Sequence, residues 1–229
     1  MKLSIVVPVY NERATIAEVL RRARAAPFEK EVLVVDDGST DGTGEILREA
    51  AARNGDIRLL RHERNRGKGA ALRTGFAAAT GDIVLVQDAD LEYDPADYGA
   101  LLRPFLEGKA DVVFGSRFLG GPFARVHLFW HYVGNRLLTL FSNMLTNLNL
   151  TDMETGFKVF RREVLDRLRL RSEGFAIEPE ITAKVARLKV RVYEVPVGYA
   201  GRTYAEGKKI TWRDGLVALF AVVRYRFFD

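Results

Sequence analysis

The chain has 229 residues, of which 48% are hydrophobic and 28% are charged, a composition that excludes disordered and fibrous proteins and allows a sizeable core. It has no cysteine, which excludes disulfides and thiolate metal sites, and no apolar run reaches the roughly 18 residues of a membrane span. The net charge of +5 favours anionic partners such as nucleotide phosphates, phospholipid headgroups or nucleic acid, and does not choose among them.

The first half of the chain alternates strand and helix patterns. Short β-branched runs that are apolar on both faces predict parallel strands at residues 3–9, 32–35, 57–60, 83–86 and 112–114. Helical periodicity between them predicts helices at about 12–25, 41–53, 68–79 and 95–106. The alternation predicts a Rossmann-like, doubly wound α/β fold with a mostly parallel sheet, and a ligand at the carboxyl ends of the strands.

The second half has longer and more aromatic patterns. We predict helices at 126–150, 157–170 and 178–188, a strand at 190–199, and a C-terminal amphipathic helix at 211–228. Because no internal repeat or low-complexity linker interrupts the chain, we expect a single domain over residues 1–229.

Two carboxylates follow the fourth predicted strand. Alternate residues of an extended chain share a face, so Asp88 and Asp90 are expected to lie together, with Ala89 opposite. The pair repels unless a proton or a cation lies between the two groups, and such oxygen ligands suit Mg²⁺ or Mn²⁺. Glu92 is a candidate third ligand. The alternative is a solvated acidic turn that caps the next helix.

Other polar residues follow the neighbouring strands. Asp37 is a candidate acceptor of hydrogen bonds from a nucleobase or ribose, and Glu12 either stabilises the first turn of a helix or contacts a nucleotide. Gly67-Lys68-Gly69 lacks the spacing of a P-loop and favours a tight strand-to-helix turn, with Lys68 as a candidate active-site cation.

Four of these segments, taken together, resemble family 2 glycosyltransferases. They are Pro-Val-Tyr-Asn-Glu at 8–12, Asp-Asp-Gly-Ser-Thr-Asp-Gly-Thr at 36–43, Asn-Arg-Gly-Lys-Gly-Ala-Ala at 65–71 and Gln-Asp-Ala-Asp-Leu-Glu at 87–92. Further matches are Gly-Ser-Arg-Phe at 115–118, Asp152 with Thr-Gly-Phe-Lys at 155–158, and residues 202–209. The most similar branch is that of dolichyl- and polyprenyl-phosphate mannose and glucose synthases. The resemblance spans nearly the whole chain and implies the GT-A fold, with a nucleotide-sugar-binding half at 1–117 and an acceptor and membrane-interface half at 118–229.

The resemblance also implies roles for individual residues. The nucleoside pocket would be lined by Pro8, Tyr10, Glu12, Val35 and Asp37. The metal and the diphosphate would be surrounded by Asp88, Ala89, Asp90 and Glu92, although several relatives carry glutamine in place of Glu92. The phosphates would meet Arg117, Arg202 and Lys208. Residues 130–136 depart from the better-known mannose synthases.

The chemistry depends on the acceptor. In every case negative charge develops on the departing diphosphate, which a divalent ion held by Asp88 and Asp90 would neutralise. A lipid monophosphate is already ionised at neutral pH and needs no base, and Arg117 and Arg136 are candidates to hold it. A saccharide hydroxyl must lose a proton, and the candidate bases are then Asp152, Glu178 and Glu180. The alternative for Glu178 and Glu180, which we favour, is the N-terminal turn of a helix with Pro179 at its start.

We therefore expect an inverting enzyme that transfers mannose or glucose to a polyprenyl phosphate. Aromatic and arginine-rich helices at 126–150 and 211–228 fit either packing in the core or a dimer interface, or a position in a membrane interface. Together with the resemblance, they lead us to expect peripheral attachment to the cytoplasmic face of a membrane, and we expect no nucleic-acid partner. His127 and His131 are expected to serve packing. A family 2 enzyme with a saccharide acceptor, a nucleotidyltransferase and a non-catalytic binding module are the open alternatives. The nucleotidyltransferase lacks support because no Gly-rich basic loop follows the first strand.

Overall fold

A computed structural model describes residues 1–120, 125–126, 128–202 and 212–229, with only the backbone described for 212–214. The strands in these ranges are β1 (Leu3–Val9), β2 (Lys30–Asp36), β3 (Ile57–Arg61), β4 (Ile83–Val86), β5 (Val112–Ser116), β6 (Lys158–Arg161) and β7 (Val192–Pro196). They form one sheet in the order β3-β2-β1-β4-β6-β5-β7. Every neighbouring pair is parallel except those of β6, which runs antiparallel to β4 and β5. The mostly parallel sheet confirms the predicted fold class.

Helices cover both faces of the sheet. They are α1 (Ile16–Ala25), α2 (Thr43–Arg53), α3 (Lys68–Ala78), α4 (Tyr98–Leu106), α5 (Phe129–Thr146), α6 (Arg162–Leu165), α7 (Ile177–Leu188) and α8 (Trp212–Phe227). One core packs α1, α2 and α4 against the sheet, and the other packs α3, α6 and α7 against its opposite face. Strand β1 supplies Ile5 and Val7 to the first core and Val6 to the second, which explains why its sequence is apolar throughout.

The predicted helix at 157–170 is wrong. Its first part is the strand β6, and only the short helix α6 follows. Val159 faces one core and Phe160 the other, which is the alternation of a strand. The ammonium group of Lys158, a residue typical of a solvated helix face, is instead buried and donates to the carbonyls of Met153 and Thr155. Pairing with β4 and β5 overrides the local helical pattern, as tertiary context commonly does.

The turn before α3 is tight, as predicted. Gly67 has a φ of 93°, and a Cβ on it would lie 2.5 Å from the carbonyl oxygen of Glu173. A Cβ on Gly69 would lie 2.3 Å from the carbonyl oxygen of Ser172. Close backbone packing therefore explains both glycines, and the P-loop interpretation is not needed.

Replacing Gly69 by alanine should lower the free energy of unfolding. The added methyl group meets a backbone oxygen that cannot rotate away, and overpacking of this kind costs about 1–3 kcal/mol. The matched control is Gly99→Ala on the exposed side of α4, where a Cβ meets nothing within 4 Å and helix propensity gains about 0.5–1 kcal/mol. Urea unfolding of the two variants measures the difference. Equal unfolding midpoints in the two variants would show that the backbone at Gly69 is not in close contact with the backbone at Ser172.

Candidate active site

The carboxyl ends of β1, β2 and β4 open into a groove of about 1500 Å³. One end of the groove is polar and is lined by Tyr10, Glu12, Asp37, Lys68, Asp88, Asp90, Glu92, Arg117 and Arg202. The other end is apolar and is lined by residues next to and within α5 and α8, namely Leu128, Phe129, Trp130, Leu137, Leu138, Leu216 and Leu219. A single depression thus joins the predicted donor site to the C-terminal helices.

The carboxylate of Asp88 forms an ion pair with Lys68, the first residue of α3. The Nζ atom of Lys68 lies 2.8 Å from Oδ1 of Asp88 and 3.0 Å from Oε1 of Glu178. Burial alone lowers the pKa of Lys68, but these two carboxylates hold it above its ordinary value, so the ammonium stays charged. On the other side, a Cβ on Gly156 would come within 2.0 Å of Oδ2 of Asp88. Asp88 is therefore fixed between a cation and a glycine backbone.

Three carboxylates surround the guanidinium of Arg202. It donates to both oxygens of Glu12 at 3.1 Å and to Oδ2 of Asp90 at 3.2 Å, and its Nε lies 3.6 Å from Glu92. Burial, together with the charges of Asp88 and Glu92, raises the pKa of Asp90 to about 7. The site thus concentrates more negative charge than Arg202 alone offsets.

This charge distribution fits a divalent cation. Burial is the main cause of the raised pKa of Asp90, and a cation shared by Asp88 and Asp90 would relieve the carboxylate repulsion that adds to it. Glu92 lies close by, but its oxygens accept from the hydroxyl of Tyr199 and the backbone N–H of Arg202, both at 2.8 Å. In the part of the chain that the structure describes, no three acidic or imidazole side chains form a complete metal cluster. Two carboxylates, completed by water and phosphate oxygens, form the kind of site that Mg²⁺ commonly uses.

Asp37 fixes the loop before α3. Its carboxylate accepts from the backbone N–H groups of Arg66 at 3.0 Å and Gly67 at 2.7 Å. It also lies 2.6 Å from Nδ1 of His62, whose Nε2 is 2.9 Å from Oγ1 of Thr74. His62 was not predicted as a site residue, because nothing in its local sequence pattern indicates a partner 25 residues away.

The other residues predicted for the nucleoside pocket divide into two groups. Pro8, Tyr10 and Glu12 line the groove with Asp37, and so does Ala89, which was predicted to lie beside the metal and the diphosphate. Val35 is buried inside β2, in register with Pro8 of β1, and does not line the groove. Lys208 and His127 lie outside the described residues.

Arg117 lines the groove, but the N–H groups of its guanidinium bind another side chain of the protein. It makes a bidentate pair with Asp152 at 2.6 and 2.7 Å, and its guanidinium lies over the ring of Tyr199 at 5.1 Å. Arg136 is exposed on α5 and is not among the residues that line the groove. For Arg117 to contact a phosphate as predicted, its guanidinium group would have to release the carboxylate of Asp152 and bind the phosphate in its place.

The three candidate bases are all paired. Asp152 is bound by Arg117, and Glu178 lies between Lys68 and Lys158, 3.0 and 2.5 Å from the two ammonium groups. Burial raises the pKa of Glu178, but the two lysines more than offset this and hold it below its ordinary value. Glu180 accepts from two backbone N–H groups and from Lys184, each at 2.7 Å. None of these carboxylates is arranged to take a proton from a hydroxyl.

A fourth carboxyl group was not singled out from the sequence. Glu154 lines the groove, yet its Oε1 atom is inaccessible to water and has no hydrogen-bond partner among the described residues. Burial, and secondly the charge of Glu178, raise the pKa of Glu154 to about 7. In the sequence, Glu154 is marked only by its position between Asp152 and Thr155, two residues that belong to the family resemblance.

Comparisons with known proteins show the family of the chain. The model of the family described as glycosyl transferase family 2 matches residues 4–169. The undecaprenyl-phosphate mannosyltransferase of Micrococcus luteus is 32% identical over 220 residues, which is 91% of this chain and 87% of that protein. The polyprenol monophosphomannose synthase of Mycolicibacterium smegmatis is 30% identical over 89% of this chain and 79% of its own length.

Two solved structures share the fold. Glucosyl-3-phosphoglycerate synthase from Mycobacterium tuberculosis, solved with Mn²⁺, UDP and glucosyl-3-phosphoglycerate, has a TM-score of 0.74 at 25% identity, covering 98% of this chain and 79% of that one. Mannosyl-3-phosphoglycerate synthase from Rubrobacter xylanophilus has a TM-score of 0.74 at 24% identity, covering 99% of this chain and 73% of that one. These matches confirm the predicted GT-A architecture. The chain belongs to glycosyl transferase family 2 and is a glycosyltransferase.

Proposed function

We propose that the chain is an inverting glycosyltransferase that moves mannose or glucose from a nucleotide diphosphate sugar to a polyprenyl or dolichyl phosphate. The observation that carries this proposal is the continuous groove, which is acidic and cationic at one end and apolar at the other. The names of the two mannosyl-transferring relatives support the same acceptor class. Residues 1–117 would bind the donor, and residues 118–229 would bind the acceptor.

The donor would lie at the polar end of the groove. Asp88 and Asp90, with Glu92 as the proposed third ligand, would hold Mg²⁺ or Mn²⁺, which when bound supplies a Lewis acid for the leaving diphosphate. Pro8, Tyr10, Glu12 and Asp37 are proposed to form the nucleoside pocket, which Val35 supports only from inside β2, and Ala89 would lie beside the diphosphate. Arg202 and Lys208 would add positive charge beside the diphosphate. Together these groups stabilise charge that is larger in the transition state than in the bound donor.

The acceptor phosphate would attack the anomeric carbon from the side opposite the diphosphate. One of its oxygens forms the new C–O bond as the bond to the nucleoside diphosphate breaks, which inverts the anomeric centre. This nucleophile is ionised at neutral pH and gives up no proton. The paired state of Asp152, Glu178 and Glu180 supports an acceptor that requires no base. Arg117 is the proposed phosphate-binding cation, and the exposed Arg136 is the weaker candidate.

An acceptor series tests the proposed function. Undecaprenyl phosphate, farnesyl phosphate and a free disaccharide are each offered with labelled GDP-mannose or UDP-glucose and Mn²⁺. We expect kcat/KM to rise with prenyl length, because each buried CH₂ contributes about 0.8 kcal/mol until the apolar end of the groove is filled. Transfer to the disaccharide, with none to either lipid, would contradict the proposal and favour the saccharide-acceptor alternative.

We further propose that the protein binds peripherally at the cytoplasmic face of a membrane. Helices α5 and α8 pack together and present the large exposed side chains of Trp130, at 78% exposure, and Phe220, at 68%, and Phe228, which follows α8, is 80% exposed. Arg224 is exposed in the last turn of α8, where a cation can meet anionic headgroups, whereas Arg226 donates to the carbonyl of Leu145 at 2.7 Å. No helix of the described residues has both the length and the hydropathy to cross a bilayer.

Removing the exposed aromatics should weaken membrane binding without affecting the fold. The double variant Trp130→Ser, Phe220→Ser is expected to reduce the partition coefficient onto anionic liposomes by about 10²-fold, roughly one decade for each buried side chain. Leu106→Ser is the matched control, because Leu106 is 62% exposed at the end of α4. Co-sedimentation measures all three proteins. A wild-type protein that stays in the supernatant, or equal losses in both variants, would contradict the assignment.

A further inference from the structure

The segment 152–157 lies between the two ends of the groove. At one end Gly156 lies against Asp88. At the other, Asp152 holds Arg117, which neighbours Phe118, and Phe118 packs on Tyr132 of α5 at 5.3 Å between ring centroids. Glu154 lies in the middle of this segment and lines the groove. Its position is therefore where the reacting part of a donor would meet the acceptor.

The charged neighbours of Glu154 already have partners. Arg117 is paired with Asp152, and Glu178 is paired with Lys68 and Lys158. Oε1 of Glu154, in contrast, is buried without a hydrogen-bond partner among the described residues. A buried polar atom of this kind destabilises the fold unless a ligand or water satisfies it, and such atoms often mark functional sites.

The carboxyl group of Glu154 is suited to binding an uncharged part of a ligand. An ionised carboxylate would repel the phosphates of both substrates, whereas the raised pKa of Glu154 keeps a large neutral fraction near neutral pH. A neutral carboxyl group donates one hydrogen bond and accepts others, which matches a hydroxyl group. In the proposed donor, the hydroxyl groups nearest the diphosphate belong to the hexose.

We propose that Glu154 hydrogen-bonds a hydroxyl group of the donor hexose and thereby helps to determine which hexose is transferred. This inference rests on the proposed function, because it requires a nucleotide-linked hexose in the groove. The hexose would project from the diphosphate near Asp88 towards the segment 152–157, leaving its anomeric carbon open to the acceptor phosphate.

The test compares Glu154→Leu and Glu154→Gln with the wild type on a panel of GDP-mannose, GDP-glucose, UDP-glucose and UDP-galactose. We expect Glu154→Leu to lower kcat/KM for the preferred hexose by about 10–100-fold and to reduce its preference over the epimer by about tenfold or more. Glu154→Gln keeps the shape and both hydrogen-bonding roles, so a smaller change in the same direction is expected. The affinity for free GDP and UDP, which lack the hexose, should stay unchanged. Glu163→Gln, at an exposed position on α6, is the matched control.

The outcomes separate this inference from the proposed function. If the wild type transfers a hexose and both Glu154 variants keep its epimer preference, the inference is overturned and the proposed function stands. A loss of GDP or UDP affinity as large as the loss of kcat/KM would show a general structural defect and would also overturn it. If Glu154→Leu fails to fold, Glu154→Ala, which also removes the carboxyl group, takes its place and is judged by the same epimer ratio. Absence of hexose transfer by the wild type from every donor would contradict the proposed function itself.

Discussion

Asp90→Asn should lower kcat for sugar transfer by about 10³-fold while leaving the protein folded. The substitution keeps the size of the side chain and removes one of the two charges proposed to hold the divalent ion. The departing diphosphate then loses part of its counter-charge in the transition state. Stability should be unchanged or slightly higher, because the raised pKa of Asp90 shows that the fold disfavours its ionised form.

Two controls make the Asp90 experiment specific. Asp94→Asn removes a charge four residues away at a half-exposed position and keeps an oxygen that can accept from the backbone N–H of Ala96. It should retain wild-type kcat. Thermal unfolding of both variants checks the fold. Wild-type turnover in excess EDTA, or by Asp90→Asn, would contradict a metal-dependent role for this carboxylate.

Arg202→Ala is expected to lower kcat by about 10²-fold at saturating donor and acceptor. Its guanidinium contacts Glu12 and Asp90 at the polar end of the groove, so it lies beside the proposed diphosphate position. Arg202→Lys should recover part of the loss, because it restores the charge without the bidentate fork. We expect the same direction for Lys208→Ala, at a position outside the described residues.

The control for Arg202 is Arg191→Ala. Arg191 makes a comparable bidentate pair with Asp111, at 3.0 and 2.7 Å, but it is 56% exposed and does not line the groove. An exposed pair of this kind contributes about 0–1 kcal/mol to stability and should not affect turnover. Steady-state kinetics and urea unfolding are measured on the same preparations. If Arg202→Ala turns over like Arg191→Ala, Arg202 is an ordinary surface charge.

The features that sequence predicted well are those encoded by neighbouring residues. Apolar runs located β1 to β5, and the alternation of Asp88 and Asp90 after β4 placed both carboxylates in one groove. The steric need for Gly67 and Gly69 also follows from their position at a strand-to-helix turn. Such patterns carry their own structural information because period and turn chemistry act over a few residues.

The features that sequence did not predict depend on distant partners. Lys158 belongs to a strand because β4 and β5 lie on either side of it, and local periodicity favoured a helix. Arg117 is 35 residues from Asp152, so its pairing was not visible and its fork was assigned to a phosphate. The role of Glu154 depends on burial and on the absence of a hydrogen-bond partner for Oε1 among the described residues, and neither property is readable from a motif.

Product analysis in two phases tests directly whether the protein transfers a hexose to a lipid phosphate. The purified protein is mixed with undecaprenyl phosphate in detergent, Mn²⁺ and GDP-mannose or UDP-glucose labelled in the hexose, and the organic phase and the released nucleoside diphosphate are both quantified. We expect labelled lipid and nucleoside diphosphate to form in equal amounts, and we expect EDTA to abolish both. Label that stays in the aqueous phase with every donor, as free hexose or on a saccharide, while the lipid phosphate remains unmodified, would contradict this expectation.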